Sequence, residues 1–386
     1  GGFTWGKLAF AQTDGPLLGL ASLGGSPWVT FVTALAGGLL AWAVLPRPVT
    51  ARLVAVAAGV GIVAVGTIVP AAAVSGETIT VAVVQGNVPE LSLDFNDERR
   101  VITRNNVAVT SRLADRVAAG QTAQPDLVVW PENSADINPY ADPVIRADIS
   151  AAVDAIGVPT LVGALVPTRD ELNVQNTSIV WRPADGPGAT YVKRHPMPFG
   201  EYIPFRQVAR LITPAVDRQP RDFVAGQDVG VLDMDAARVG AIICFEVAFD
   251  NLVRDAVRAG GELIAVQTNN ATFGFSPMTE QQLAMARFRA MEHGRTVLVS
   301  ALAGVSAIVL PDGSVVDRAE LDTQDVLVAD VPIATAHTLA TTIGEWPEWI
   351  LVGVAFGAIV GAVVAMRRHP ARTEGTSAPP ATVEAR

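Results

Sequence analysis

Cysteine is nearly absent. Cys244 is the only one in 386 residues, so no internal disulfide can form and the compartment cannot be read from cystine content. Lysine is nearly absent too: of 28 Lys+Arg, only Lys7 and Lys193 are lysines. Where almost every cation is arginine, a retained lysine points to chemistry that arginine cannot do, such as a compact ammonium in a tight pocket; the plain alternative is a stray surface residue. The net charge of −10 lacks the basic excess that a nucleic-acid partner requires. The four histidines, His195, His293, His337 and His369, show no metal-ligand spacing, which predicts no metal. No P-loop or GxGxxG context occurs, and no internal repeat. The first residue is Gly1 rather than Met, and no signal peptide with a basic n-region is visible; the sequence reads as a fragment or processed product, with upstream segments expected.

Hydrophobic residues are what it has in excess. They make up 50% of the chain, and the mean hydropathy of +0.35 exceeds that of ordinary soluble domains, so membrane spans are expected. Residues 1–27 read as an extracytoplasmic or interfacial segment. Residues 28–74 hold two spans, Trp28–Leu45 and Leu53–Val74, with Gly59, Gly61 and Gly66 allowing close helix contact. Residues 75–345 form a charged, mixed domain near the upper size of a single core. Residues 346–366 give a third span, with Gly353, Gly357 and Gly361 in small-xxx-small spacing and Trp346 and Trp349 as interfacial anchors. Residues 367–386 read as a disordered cytoplasmic tail. Arg47 and Arg52 between the first two spans, and Arg367, Arg368 and Arg372 after the third, place those loops in the cytoplasm by the positive-inside rule. The domain is then expected on the extracytoplasmic side of the cell membrane.

Within 75–345, strand-like runs alternate with helix-like ones. Strands are expected at 78–84, 126–130, 160–165, 176–181, 190–193, 229–234, 237–243, 263–268, 297–301, 306–310 and 326–331. Helices are expected at 99–119, 145–156, 247–259 and 278–293. Such alternation means an α/β domain with helices covering sheet faces. Arg287, Arg289, Glu292 and Arg295 read as a salt-bridged helix face.

Three strand ends carry reactive groups: Glu132 in Val129-Trp-Pro-Glu-Asn133, Lys193 before Arg-His-Pro-Met-Pro-Phe-Gly-Glu201, and Cys244 before Phe245-Glu246. Side chains at strand ends face clefts in open α/β sheets. An expected helix start beside Cys244 favours a thiolate. A lone cysteine is otherwise a small buried hydrophobe, and a loop glutamate is otherwise solvated. Together the three supply a general base and acid (Glu132), an ammonium for an oxyanion (Lys193) and a nucleophile able to form a thioester (Cys244). The backbone N–H of Phe245 adds a second oxyanion donor, worth roughly 3–4 kcal/mol in studied cases. Glu201 and Glu246 are expected to position the lysine or an incoming amine, although a glutamate at the place of Glu246 also caps a helix. Residues 202–224 mix Ile203, Phe205, Leu211, Ile212 and Phe223 with arginines, and read as an interfacial arm or lid whose arginines meet phosphates; Phe273–Met278 reads as a second such loop.

Pro131-Glu132, Lys193 with Pro198-Phe-Gly-Glu201, and Cys244-Phe-Glu246 together resemble the Glu–Lys–Cys signature of the nitrilase (carbon–nitrogen hydrolase) superfamily. The opening Gly1–Gly6, Val84-Gln-Gly-Asn87 and Thr268–Gly274, with the flanking spans, are similar to the bacterial apolipoprotein N-acyltransferase family. The resemblance implies an α/β fold, a nitrilase-like α-β-β-α sandwich domain flanked by transmembrane helices. It implies acyl transfer from a phospholipid donor, through a Cys244 thioester, to the α-amine of a diacylglyceryl apolipoprotein acceptor, without a cofactor. Thr272 and Ser300–Gly304 depart from the family pattern at positions that bear on donor or acceptor preference. Two further readings stand beside this one: a membrane-anchored amidase using the same residues on a small amide, and a non-enzymatic scaffold holding a polyprenol-phosphate glycosyltransferase partner.

Overall fold

A computed structural model describes residues 4–69, 76–88, 95–218 and 221–368. Gly1–Phe3 of the opening motif, the last residues of the expected second span and the expected tail from His369 lie outside the described residues.

Two six-stranded sheets form the centre. The first runs, in spatial order, β12 (Asp325–Pro332), β1 (Thr78–Gln85), β2 (Leu127–Val129), β3 (Thr160–Pro167), β4 (Val174–Arg182) and β5 (Gly186–Val192). The second runs β11 (Val315–Arg318), β10 (Ala307–Val309), β9 (Val297–Ala301), β8 (Leu263–Thr268), β7 (Arg238–Ile243) and β6 (Val231–Asp233). The inner strands β1–β2–β3 and β7–β8–β9 are parallel, and the outer pairs are antiparallel.

Strand periodicity sorts the side chains into layers. Val81 and Val83 of β1 meet Val239, Ala241 and Ile243 of β7 in a core between the sheets. Their neighbours Ala82 and Val84 face outward, under Val109 and Leu113 of α3 (Phe95–Ala118) and Ile145 and Ile149 of α4 (Pro143–Ile156). On the far side, Ile242, Ile264 and Val266 pack under α6 (Asp250–Arg258) and α7 (Met278–His293). This is the α-β-β-α sandwich expected from the resemblance. Both inner sheets are covered on two faces, which is why their strands read as nearly continuous apolar runs.

Among the described residues, three apolar helices are long enough to cross a bilayer: α1 (Ala21–Val44, within the apolar stretch Leu18–Val44), α2 (Val49–Ile68) and α9 (Trp346–Arg368). They mark a membrane protein. α1 and α2 form a hairpin in which Arg52 Nε donates to Ala43 O at 2.6 Å, so a cation sits at the carbonyl end of α1 where the helix dipole favours it. Gly66 lies where a Cβ would meet Pro16 O at 2.3 Å, the close approach expected of the α2 glycines. Gly61 has no such neighbour. α9 stands as a separate unit from Glu345 onward.

The structure departs from the sequence reading in four places. Residues 4–20, expected as an extracytoplasmic or interfacial segment, form short 3-10 turns, and Phe10, Leu17, Leu18 and Leu20 enter the same core as α6 and α7. α1 begins at Ala21 and is kinked at Gly25, whose φ of +69° suits glycine alone. β11 was too short and polar to be read as a strand. The expected continuous helix 247–259 is a 3-10 turn, Cys244–Ala248, followed by α6 after an extended Phe249. The remaining short helices are α5 (Arg206–Ile212) and α8 (Leu339–Ile343).

Candidate active site

Glu132, Lys193 and Cys244, 112 residues apart from first to last, occupy one buried region at the strand ends. Lys193 follows β5 directly and is 2% exposed. Its Nζ donates to Glu132 Oε1 at 3.2 Å and to Glu201 Oε1 at 2.9 Å. Burial opposes its charge most, but the two carboxylates prevail and hold Lys193 well above the usual lysine range, so it stays an ammonium. An ammonium has three N–H donors; two are engaged by these carboxylates.

Glu132 is held from both sides. Oε1 also accepts from Asn176 Nδ2 at 2.6 Å, and Oε2 accepts from the backbone N–H of Asn269 at 2.7 Å. Asn176, inside β4, donates as well to Glu201 Oε1 at 3.0 Å. Glu201 Oε2 in turn accepts from Met197 N at 2.6 Å. Two carboxylates, one ammonium and one amide thus fix one another, each buried charge having a partner as its desolvation requires.

Cys244 closes β7 with φ +51°, a left-handed conformation that is costly for a residue with a Cβ and is found at functional turns. The expectation that a helix start lowers its pKa is corrected. The five-residue 3-10 turn has little dipole, and burial, reinforced by the Glu132 charge, pushes the thiol up to about 12 despite the opposing Lys193 ammonium. The resting group is a thiol and needs a base before it can react.

Glu246, one turn on, does not touch the lysine ammonium. Oε1 accepts from the backbone N–H of Arg194 at 2.7 Å and of His195 at 3.1 Å, and from the Tyr191 hydroxyl at 2.9 Å, while Oε2 accepts from Ile243 N at 2.8 Å. It therefore ties the strand end before Cys244 to the strand end carrying Lys193. It caps the turn through Ile243 N, and its bonds to the N–H groups of Arg194 and His195 fall on the two residues after Lys193. Phe245 stacks on Trp5, with ring centres 6.1 Å apart, and meets Phe249 edge-on at 5.2 Å. Trp5 Nε1 donates to Gln281 Oε1 at 2.6 Å, so the N-terminal segment packs directly on the turn of Cys244.

The arm at 202–224 is anchored beside the site. Phe223 N donates to Glu201 O at 2.8 Å, and Val224 N to Val174 O at 2.9 Å. It presents Phe205 and Leu211, each 86% exposed. Within the arm, Arg206 pairs with Asp222, and Arg210 pairs with Asp217 at 2.6 Å. Phe275, on the second loop, is also exposed and lines a cavity of about 650 Å³ with Thr279, Glu280, Val305, Arg318 and Leu321.

Of the α7 residues expected on a salt-bridged face, Arg287 pairs with Asp14 at 2.7 Å and is half-buried, whereas Arg289 and Glu292 pair in the interior. Arg289 is fully buried; it donates through Nε to Val247 O at 2.8 Å and pairs with Glu292 and Asp250. Asp250 also pairs with Lys7 at 2.7 Å and accepts from Ser26. The second lysine is thus half-buried in an ion cluster that joins the N-terminal segment to α6 and α7. Sequence reasoning placed Thr268 only in a resembling motif and missed Asn176 and Gln282, whose available signal was a polar residue on the buried face of an apolar strand or helix.

Residues 80–341 match the family model described as carbon–nitrogen hydrolase. The apolipoprotein N-acyltransferase of Mycolicibacterium smegmatis is 39% identical over 373 residues, covering 90% of this chain and 62% of that protein. Those of Azotobacter vinelandii and Pseudomonas putida are 31% and 30% identical, covering 92% of this chain in each case and 67% and 69% of their own lengths. The chain therefore spans about two thirds of the length of these relatives. Among solved structures, a mutant amidase from Nesterenkonia sp. AN1, with the acetamide moiety of fluoroacetamide on its active-site cysteine, superposes with a TM-score of 0.51 at 18% identity, covering 72% of this chain and 98% of that one. That likeness concerns the fold. With a family model spanning most of its length and relatives at this identity, the chain belongs to the carbon–nitrogen hydrolase family, in the company of its apolipoprotein N-acyltransferases.

Proposed function

We propose that this protein moves an acyl chain from a phospholipid, through a thioester on Cys244, to the α-amine of a diacylglyceryl-cysteine at a lipoprotein N-terminus. The observation that carries the reading is the Glu132–Lys193–Glu201 cluster beside a buried thiol, in a chain whose relatives bear that name. Glu132 takes the proton of Cys244, and the sulfur attacks the ester carbonyl. The resulting oxyanion faces the third N–H of Lys193 and the backbone N–H of Phe245. The C–O bond breaks, and Glu132 returns the proton to the departing lysophospholipid. In the second half the amine attacks the thioester carbon, Glu132 takes a proton from nitrogen, and the thiol is re-formed. Glu201 and Asn176 hold the lysine and the base in register.

A lipid donor suits the layout. The domain is expected on the extracytoplasmic side, tethered by spans at both of its ends, and the exposed apolar residues of the arm can enter the bilayer surface. No relative and no described contact supports a polyprenol-phosphate glycosyltransferase partner. The test is incubation of the purified chain with a phospholipid bearing a tagged acyl group, read by mass spectrometry. A thioester adduct on Cys244, lost in Cys244→Ser and discharged by a diacylglyceryl peptide, is expected. Hydrolysis of small amides without an adduct from lipid would replace the transferase with an amidase.

A further inference from the structure

Gln282 bears directly on the sulfur. Its Nε2 donates to Cys244 Sγ at 3.7 Å, within reach for a sulfur acceptor. The amide is buried, at 1% exposure, and its orientation is set by a neighbour: Gln282 Oε1 accepts from the Thr268 hydroxyl at 3.0 Å. The same hydroxyl lies 2.7 Å from Asn270 Oδ1, so Thr268 sits at the junction of three polar side chains at the end of β8. The one Thr268 hydroxyl proton is shared between the two amide oxygens, and with Gln282 Oε1 on that side its NH2 faces Cys244. α7, which carries Gln282, is held against the nucleophile turn by the Arg289 bond to Val247 O.

We propose that Gln282 is a further catalytic residue, whose amide N–H stabilises the Cys244 sulfur as a thiolate when it forms and again when it departs. This deepens the proposed function and rests on Cys244 being the nucleophile. The charged groups facing the sulfur come from separate loops: Glu132 and Glu201 disfavour an anion there, and the Lys193 ammonium favours it. Glu246 on the same turn adds a buried acid. Lys193 is already engaged by two carboxylates. The Thr268 hydroxyl also bonds the sulfur and favours its anion, and the Gln282 amide adds a neutral donor on it that serves both halves of the reaction. In the first, the S–H proton passes to the Glu132 carboxylate and the S–C bond forms from the freed pair. In the second, the C–S bond breaks, the pair returns to sulfur, and Glu132 gives the proton back. Gln282 keeps its own protons throughout.

The single cysteine makes this measurable without substrate. Alkylation of the full chain in detergent by iodoacetamide reports Cys244 alone, and below its midpoint the rate follows the thiolate fraction. Gln282→Met keeps an unbranched chain of similar size and removes the donor. Its alkylation rate at a given pH should fall about tenfold, equivalent to about one pH unit in the thiol's pKa, with acylation from lipid falling at least as far. Thr268→Val, which removes a hydroxyl bonded to both the amide and the sulfur, should shift the profile the same way. A Gln282→Met profile superimposed on that of the unaltered chain overturns the proposal. If that variant fails to fold, Gln282→Leu, which also lacks the donor, is read in its place, and an unshifted profile overturns the proposal equally. Failure of the lipid reading is separable: unaltered protein that titrates as described but takes no acyl group from phospholipid leaves Gln282 in place and removes the lipid donor.

Discussion

At the residue scale, Glu132 acts on Cys244 in two opposed ways. As a base it must remove the thiol proton; as a nearby anion it makes that proton harder to lose. Glu132→Gln separates the two. The variant should alkylate faster than the unaltered chain at the same pH, because the anion that pushes the thiol up is gone. Its turnover should nevertheless fall by about 10²–10⁴, the usual contribution of a positioned base. Parallel measurement of iodoacetamide alkylation and lipid acylation checks this; a variant that loses neither rate is incompatible with the base role. The polar residues at strand ends were legible in the sequence because a carboxylate, an ammonium and a thiol are conspicuous where apolar runs stop. Asn176 and Gln282 were not, since a single polar residue inside an amphipathic pattern looks the same whether it faces water or a buried sulfur.

At the element scale, the C-terminal end of α7 is a buried electrostatic joint. His293 Nδ1 lies 2.9 Å from Thr341 Oγ1 of α8, and Thr338 Oγ1 donates to Glu292 O at 2.6 Å. Burial first, then the Arg289 and Arg295 charges, hold His293 well below the usual histidine range, so it stays neutral in the fold. The unfolded chain takes up a proton on histidine as the pH falls through about 6.5, while the folded chain does not. The stability contributed by a neutral His293 is therefore complete above that pH and is lost progressively below it. Glu292, raised by burial, has the opposite dependence, so the informative quantity is a difference between variants. The melting temperature of the unaltered chain should drop more steeply between pH 6.5 and 5 than that of His293→Gln, by the equivalent of about 1 kcal/mol per pH unit. Parallel curves would show that His293 is protonated in the fold. The extent of α7 was plain from its spacing. The split of 247–259 was not: the apolar pattern continues through Phe249, and the break coincides with bonds from the distant Arg289 to Val247 O and Asp250, which no local window contains.

At the scale of the whole molecule, the spans were legible because twenty apolar residues in a row have few other uses. Their bounds moved by a few residues: α2 begins at Val49, and Arg52 lies within its first turn rather than before it. The burial of residues 9–20 against α6 and α7 was not legible, because an apolar segment packed on a domain has the same composition as one lying in lipid. Sidedness is the remaining physical claim. Arg47 and Arg52 at the α1–α2 turn, and Arg367 and Arg368 closing α9, belong on one side by the charge bias of insertion. An odd number of spans, α9 alone, separates the domain from that last basic cluster. A fluorescent protein fused after Arg386 should therefore mature in the cytoplasm, and alkaline phosphatase at the same place should be inactive. Phosphatase inserted at the β4–β5 turn, between Asp185 and Gly186, should be active, since the turn then lies outside. Reversed activities would put Cys244 on the cytoplasmic face, where an extracytoplasmic lipoprotein N-terminus could not reach it, and the transferase reading would have no acceptor.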